Sequence, residues 1–174
     1  MFSTPALWIA FAAMVPLMVL TAWWDLKFLK IPNKLVLAVL ATFVATGLWG
    51  LPLDTFAWRL VYGVVALAFG FGLFALGGIG GGDAKMAAAL VPFAAPADAA
   101  AILLIYAILT FVLLMVLRLI MQIVRHQETG WLALDQLKKP ARERVFPVGL
   151  ILGLTLTIYL GAHTLQSLGA DLGL

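Results

Sequence analysis

The sequence predicts an all-α polytopic membrane protein, with six transmembrane helices and both termini on the outer side. Three observations predict it. The chain is 64% hydrophobic and only 11% charged, with a mean hydropathy of +1.11, far from the balance of a soluble domain. Apolar runs at 6–24, 35–51, 59–79, 84–97, 99–121 and 145–166 follow one another along the chain. Most of them are long enough to cross a ~30 Å hydrocarbon core at ~1.5 Å per helical residue. With the first connection, 25–34, in the cytoplasm, Lys27, Lys30, Lys34, Lys85, Arg118, Arg125, Lys138, Lys139, Arg142 and Arg144 all fall on that side. Of 11 basic residues only Arg59 is left outside, as the positive-inside rule requires.

Each element follows from local signals. The first run has no basic stretch before it and no small-residue cleavage site after it, so it is expected to stay as a helix rather than leave as a signal peptide. Its Trp8 and the Trp23–Trp24 pair stand about 15 residues apart, ~23 Å of helix, which suits rings at the two interfaces of one span. Trp49 and Trp58 flank the second connection in the same way. The fourth run, 84–97, is the weak one, being short and carrying Pro92 and Pro96. A re-entrant hairpin is the alternative there, but it would carry the basic stretch 118–144 to the outer side. A short helix shielded by its neighbours, or a locally thinned bilayer, keeps the charge pattern. The connection 125–144 holds Trp131, Leu132, Leu134 and Leu137 among charges, and reads either as a helix on the membrane surface or as a solvated linker. These runs leave no room for a soluble domain, so residues 1–174 form one membrane domain.

Several chemistries are excluded by residue type. There are no cysteines, hence no disulfide, thiolate metal site or cysteine nucleophile. His126 and His163 fall on opposite sides of the membrane and cannot share a metal. Ser3, Ser167 and the threonines have no histidine placed to activate them. No cofactor and no nucleic acid is implied.

The 8 acids can be sorted by position. Asp54, Asp98 and Asp171 lie on the outer side, and Glu128, Asp135 and Glu143 sit among the bases of 125–144, where ion pairing explains them. Asp25 and Asp83 remain. Both lie at the cytoplasmic end of apolar segments, the setting in which an ionisable group faces a protein cavity. If the two meet at low dielectric they cannot both ionise easily, which leaves an acid and a base in one place. Such a pair can activate a water and polarise a carbonyl, and so hydrolyse a peptide bond without a metal. The alternative is that both acids merely mark helix ends.

A glycine run, Gly77, Gly78, Gly80, Gly81 and Gly82, precedes Asp83 directly. It removes side-chain bulk, lets backbones approach closely and lets a helix begin abruptly. A phosphate loop is excluded because Asp83 stands where that loop needs Lys-Ser/Thr. A glycine face for helix packing remains open.

Two stretches resemble a known family. "GGGDAKM", 80–86, is similar to the G-x-G-D motif with a following Lys of type IV prepilin peptidases, the A24-type aspartic peptidases. "DLKFLKIPNK", 25–34, resembles their first-aspartate segment, and "FPVGLILG", 146–153, the pattern opening their last helix. The resemblance implies a membrane aspartic endopeptidase that removes the short basic leader of prepilin-like proteins at the cytoplasmic face. Asp25 and Asp83 would be the catalytic pair, with Gly80 and Gly82 as the motif glycines. It places the protein in the bacterial cytoplasmic (inner) membrane, with a prepilin substrate, membrane lipids and the pilus assembly machinery as partners. Lacking the Cys-x-x-Cys pairs of larger bifunctional members, the chain resembles the short CpaA/TadV-like form associated with Flp/Tad-type pili, without a methyltransferase domain. Of the other motif residues, Pro32 preorganises the second helix and Asn33 serves freed backbone groups there. Lys85 reads as a side chain snorkelling to headgroups, as a contact for substrate, or as a charge that tunes the dyad.

Two readings compete with the peptidase. A small proton- or ion-conducting transporter would use the same acids as a relay, and a structural assembly subunit would use the glycines only for packing.

Overall fold

A computed structural model of the chain describes residues 2–124, 132–136 and 146–172. Helices are the only regular elements among the described residues: α1 (Thr4–Phe28), α2 (Asn33–Gly50), α3 (Leu53–Ala75), α4 (Gly81–Leu90), α5 (Ala99–Val124), α6 (Leu132–Gln136) and α7 (Val148–Leu172). Of the expected surface helix in 125–144, the short α6 is described. Arg125, His126, Glu128, Trp131, Leu137, Lys138, Lys139, Arg142, Glu143 and Arg144 lie outside the described residues, as does the side chain of Asp171.

Among the described residues five helices are long and apolar enough to cross a membrane: α1, α2, α3, the segment Pro96–Ile120 with most of α5, and α7 up to Gly169. The chain is a multi-pass membrane protein. Most differ from the apolar runs at their ends, because helices continue past the hydrophobic stretch until a breaker stops them. Thus α1 runs on to Phe28 and takes Asp25 into its last turn, and α3 begins at Leu53, directly after Pro52.

The fourth run departs most from a regular span. Only α4, 10 residues, is α-helical, followed by 3₁₀ turns at Val91–Phe93 and Pro96–Asp98. The two prolines account for this, since each removes a backbone donor and blocks continuation of the helix. The segment nevertheless runs back along α3 in antiparallel register. Gly81 meets Phe74, Gly70 meets Ala84, and Gly63 meets Ala88 and Pro92. From residue 74 to 59 that path covers ~23 Å. Small residues make the approach close: a Cβ on Gly70 would stand 3.0 Å from the Ala84 Cβ, and one on Gly63 3.0 Å from Pro92 Cγ. Gly70→Val is therefore expected to force α3 and α4 apart and cost about 1–3 kcal/mol. A lower midpoint of thermal unfolding in detergent checks it.

Arg59 closes the far end of this pair. The sequence leaves it as a lone outer charge, yet it is only 4% exposed. Its Nη1 donates to the carbonyls of Pro92 at 3.1 Å and Phe93 at 2.9 Å, groups orphaned where the helix breaks.

The core lies where α1 packs between α2 and α7, with Met14, Met18, Val39, Phe43, Phe93 and Leu160 buried. Phe43 joins α2 to the fourth segment through an edge-on contact with Phe93 at 5.3 Å. By contrast α5 packs mainly on α7, and its Leu103, Leu104, Phe111 and Leu119 face outward, as suits lipid-facing positions.

Candidate active site

Asp25 sits in the last turn of α1 and is 3% exposed. Just beyond it the chain reverses hand. Leu29 takes a left-handed conformation, φ 50°, and its N–H donates to the Asp25 carbonyl at 2.9 Å, closing the helix. For a residue with a Cβ this costs about 1–2 kcal/mol. The gain is a tight turn that aims Ile31 back into the bundle. Pro32 then stands at the N-cap of α2 with φ −63°, the value its ring imposes, and α2 starts at Asn33.

Ile31 occupies the junction of three helices. A Cβ on Gly82 of α4 would lie 3.5 Å from it, and one on Gly149 of α7 would lie 2.6 Å from its Cδ1. The Ile of the Ile-Pro-Asn stretch thus fills space that two glycines leave open.

Asp83 belongs to the first turn of α4, after an extended Gly80 at the N-cap. The orphan N–H groups and the dipole of a helix start favour a carboxylate there. Its Oδ2 folds back over Gly80, where a Cβ would come within 2.8 Å of it. Farther back Gly77, at φ 75°, supplies the left-handed residue that ends α3. Within the glycine run, then, Gly77 is needed for its backbone angle and Gly80 for clearance around Asp83, whereas a Cβ on Gly82 would make only an ordinary contact with Ile31.

Asp25 in turn meets the start of α7. Its Oδ2 accepts the N–H of Leu150 at 3.0 Å, and a Cβ on Gly149 would stand 3.1 Å from the same oxygen. Leu150 is the third residue of α7, so this N–H has no partner within its own helix. Each carboxylate therefore rests on a helix N-terminus, Asp83 on its own and Asp25 on that of a helix 125 residues distant in sequence.

The two acids line one cavity of about 770 Å³ and are near enough for the charge of Asp25 to act on Asp83. Lys30, Asn33, Gly80, Gly82 and Lys85 line it as well. Lys85 turns toward α2, its Nζ 3.4 Å from Asn33 Oδ1, a long contact. Pro32 acts on the cavity only through the turn.

Ile31, Leu29 and the Gly149–Leu150 backbone escaped sequence reasoning. Leu29 is apolar among apolar residues and gives no signal, while Ile31 stands in the stretch DLKFLKIPNK but nothing there gives it a packing role. The Pro147-Val148-Gly149 opening of α7 did stand out, but nothing in it says that an N–H points at Asp25.

Fold and cavity together define a polytopic helical membrane protein with two carboxyl groups converging on one cavity at one end of the bundle. Over residues 12–118 the sequence matches the model of the type IV leader peptidase family, and the chain belongs to that family. Membership implies a peptidase. The matched stretch contains Asp25, Pro32, Asn33, Gly80, Gly82, Asp83 and Lys85, whereas Gly149 lies beyond it. Neither the curated proteins nor the solved structures compared with the chain give a match.

Proposed function

We propose that the protein is an aspartic endopeptidase of the bacterial inner membrane that cleaves the leader peptide from prepilin-like proteins. The observation that carries this reading is the convergence of Asp25 and Asp83, 58 residues apart in the chain, on a single cavity in a leader peptidase family member. In the proposed mechanism the charged carboxylate takes a proton from water as the oxygen attacks the scissile carbonyl, while the protonated one donates to the carbonyl oxygen. The tetrahedral intermediate then collapses as the amine leaves with the proton first taken from water, while one hydroxyl of the intermediate returns its proton to the second carboxylate and restores the starting pair. No side-chain nucleophile is consumed.

The topology belongs to the same proposal. Six passages, the fourth made of α4 and its 3₁₀ turns, put both termini outside and both acids at the cytoplasmic face. The antiparallel run of that segment along α3 and the clustering of Lys30 and Lys85 at the cavity support it. We assign the chain to the short form that serves Flp/Tad-type pilins and cleaves without methylating.

Coexpression with a prepilin carrying a short basic leader tests the function. The expected result is a faster-migrating pilin whose new N-terminus, read by sequencing, begins after the leader. An intact pilin, together with proton or ion flux through the reconstituted protein, would hand the acids to the transporter reading.

A further inference from the structure

A second cavity, about 350 Å³, opens at the other end of the bundle, ~27 Å along α1 from Asp25. Its lining includes Arg59, Thr4, His163, Gln166 and Ser167 beside the apolar Phe2 and Leu7. Arg59 is unusual in its electrostatics. It is buried, yet no carboxylate among the described residues forms an ion pair with it. Asp98, the nearby acid, is engaged elsewhere, accepting from Tyr159 Oη at 2.8 Å and lying 3.4 Å from His163 Nε2. The two carbonyls on Nη1 and the Phe2 ring, 5.4 Å from the guanidinium, supply only dipoles and a quadrupole. Arg59 Nε is buried without any hydrogen-bond partner among the described residues.

The charge of Asp98 reaches this guanidinium only from a distance, so none of the described carboxylates touches it, and burying a charge without a contacting partner is costly. The bulk of the side chain cannot leave, because it caps the broken helix. The missing partner is an oxyanion, which a planar donor fork binds well. Depth identifies its source. Trp58, next to Arg59, is 61% exposed, and Trp8 and Trp49 are exposed at the same end, so the cavity lies at the level of the aromatic belt, where lipid headgroups sit. The Thr4 hydroxyl and the Gln166 amide add donors around that position, while the Ser167 hydroxyl donates to the Thr164 carbonyl at 2.8 Å.

We propose that this cavity seats the headgroup phosphate of an anionic phospholipid, which places a counter-charge in contact with Arg59. The site is separate from the two aspartates and does not depend on the peptidase assignment.

The test is thermal unfolding of the full chain in a neutral detergent, with phosphatidylglycerol, phosphatidylcholine or inorganic phosphate added. Phosphatidylglycerol at ~100 times its dissociation constant is expected to raise the midpoint by about 5–10 °C. Phosphatidylcholine and inorganic phosphate should raise it far less. In Arg59→Gln the response to phosphatidylglycerol should vanish. Should that variant fail to fold, Ser167→Asp decides, because a carboxylate built into the cavity replaces the lipid and abolishes the response. Equal stabilisation by both lipids, an equal effect of inorganic phosphate, or a full response in Ser167→Asp each overturns the proposal.

Discussion

Asp25→Asn and Asp83→Asn are each expected to lower leader cleavage by at least about 10³-fold, with the protein still accumulating in the membrane. Asparagine keeps the shape of the side chain and an acceptor oxygen. The amide in Asp25→Asn therefore retains the bond from the Leu150 N–H, and the one in Asp83→Asn retains its place over Gly80. What disappears is the exchange of a proton. Because the two groups act on one water, losing the second adds little once the first is gone, and the double variant should be no slower than either single one. Quantifying processed against unprocessed pilin, beside an immunoblot of the membrane fraction, reads both parts of the expectation. Cleavage within tenfold of the unaltered protein in either variant would remove the dyad from the mechanism.

Gly149→Ala should have the next largest effect, about 10²-fold on kcat with KM nearly unchanged. The new methyl would press on Ile31 Cδ1 at 2.6 Å and on Asp25 Oδ2 at 3.1 Å. The isoleucine end can swing aside, but in doing so it moves toward Gly82 and the start of α4. The carboxylate can yield only toward the cavity and at the expense of its bond from the Leu150 N–H, which holds the same oxygen. Both acids are thereby displaced while the walls of the cavity farther from them stay in place. Leu150→Ala serves as the control, for it keeps the N–H and should stay within a few-fold of normal. If Gly149→Ala cleaves at the normal rate, the contact between α7 and Asp25 has no part in turnover.

The sequence made the membrane class plain because 64% apolar composition has few other physical outcomes, and charge placement then singled out Asp25 and Asp83 by elimination. Those two acids do share a cavity. Less was legible where tertiary contacts decide. Arg59 fell outside by the count of spans, and nothing in its neighbours along the chain announces that it is buried. Its burial depends on two carbonyls some 33 residues on, which are free because α4 has ended at Leu90 and Pro96 has no N–H to offer the Pro92 carbonyl. The fourth segment read as a short span, and composition alone could not show it following α3 through Gly63 and Gly70. Asp25's partner on α7 was hidden for another reason: a backbone N–H is the same in every residue but proline, so no letter of the sequence announces it.

The left-handed Leu29 makes the stretch between Asp25 and Ile31 a ruler. Five residues lie between them, four of which finish a helical turn and end it at that one unfavourable angle. One residue more or fewer would swing the isoleucine about a third of a turn round the axis, away from both glycines it fills. Side chains along this stretch are free to vary in chemistry, but its length is dictated by geometry, and the strain at Leu29 is the cost of keeping that measure.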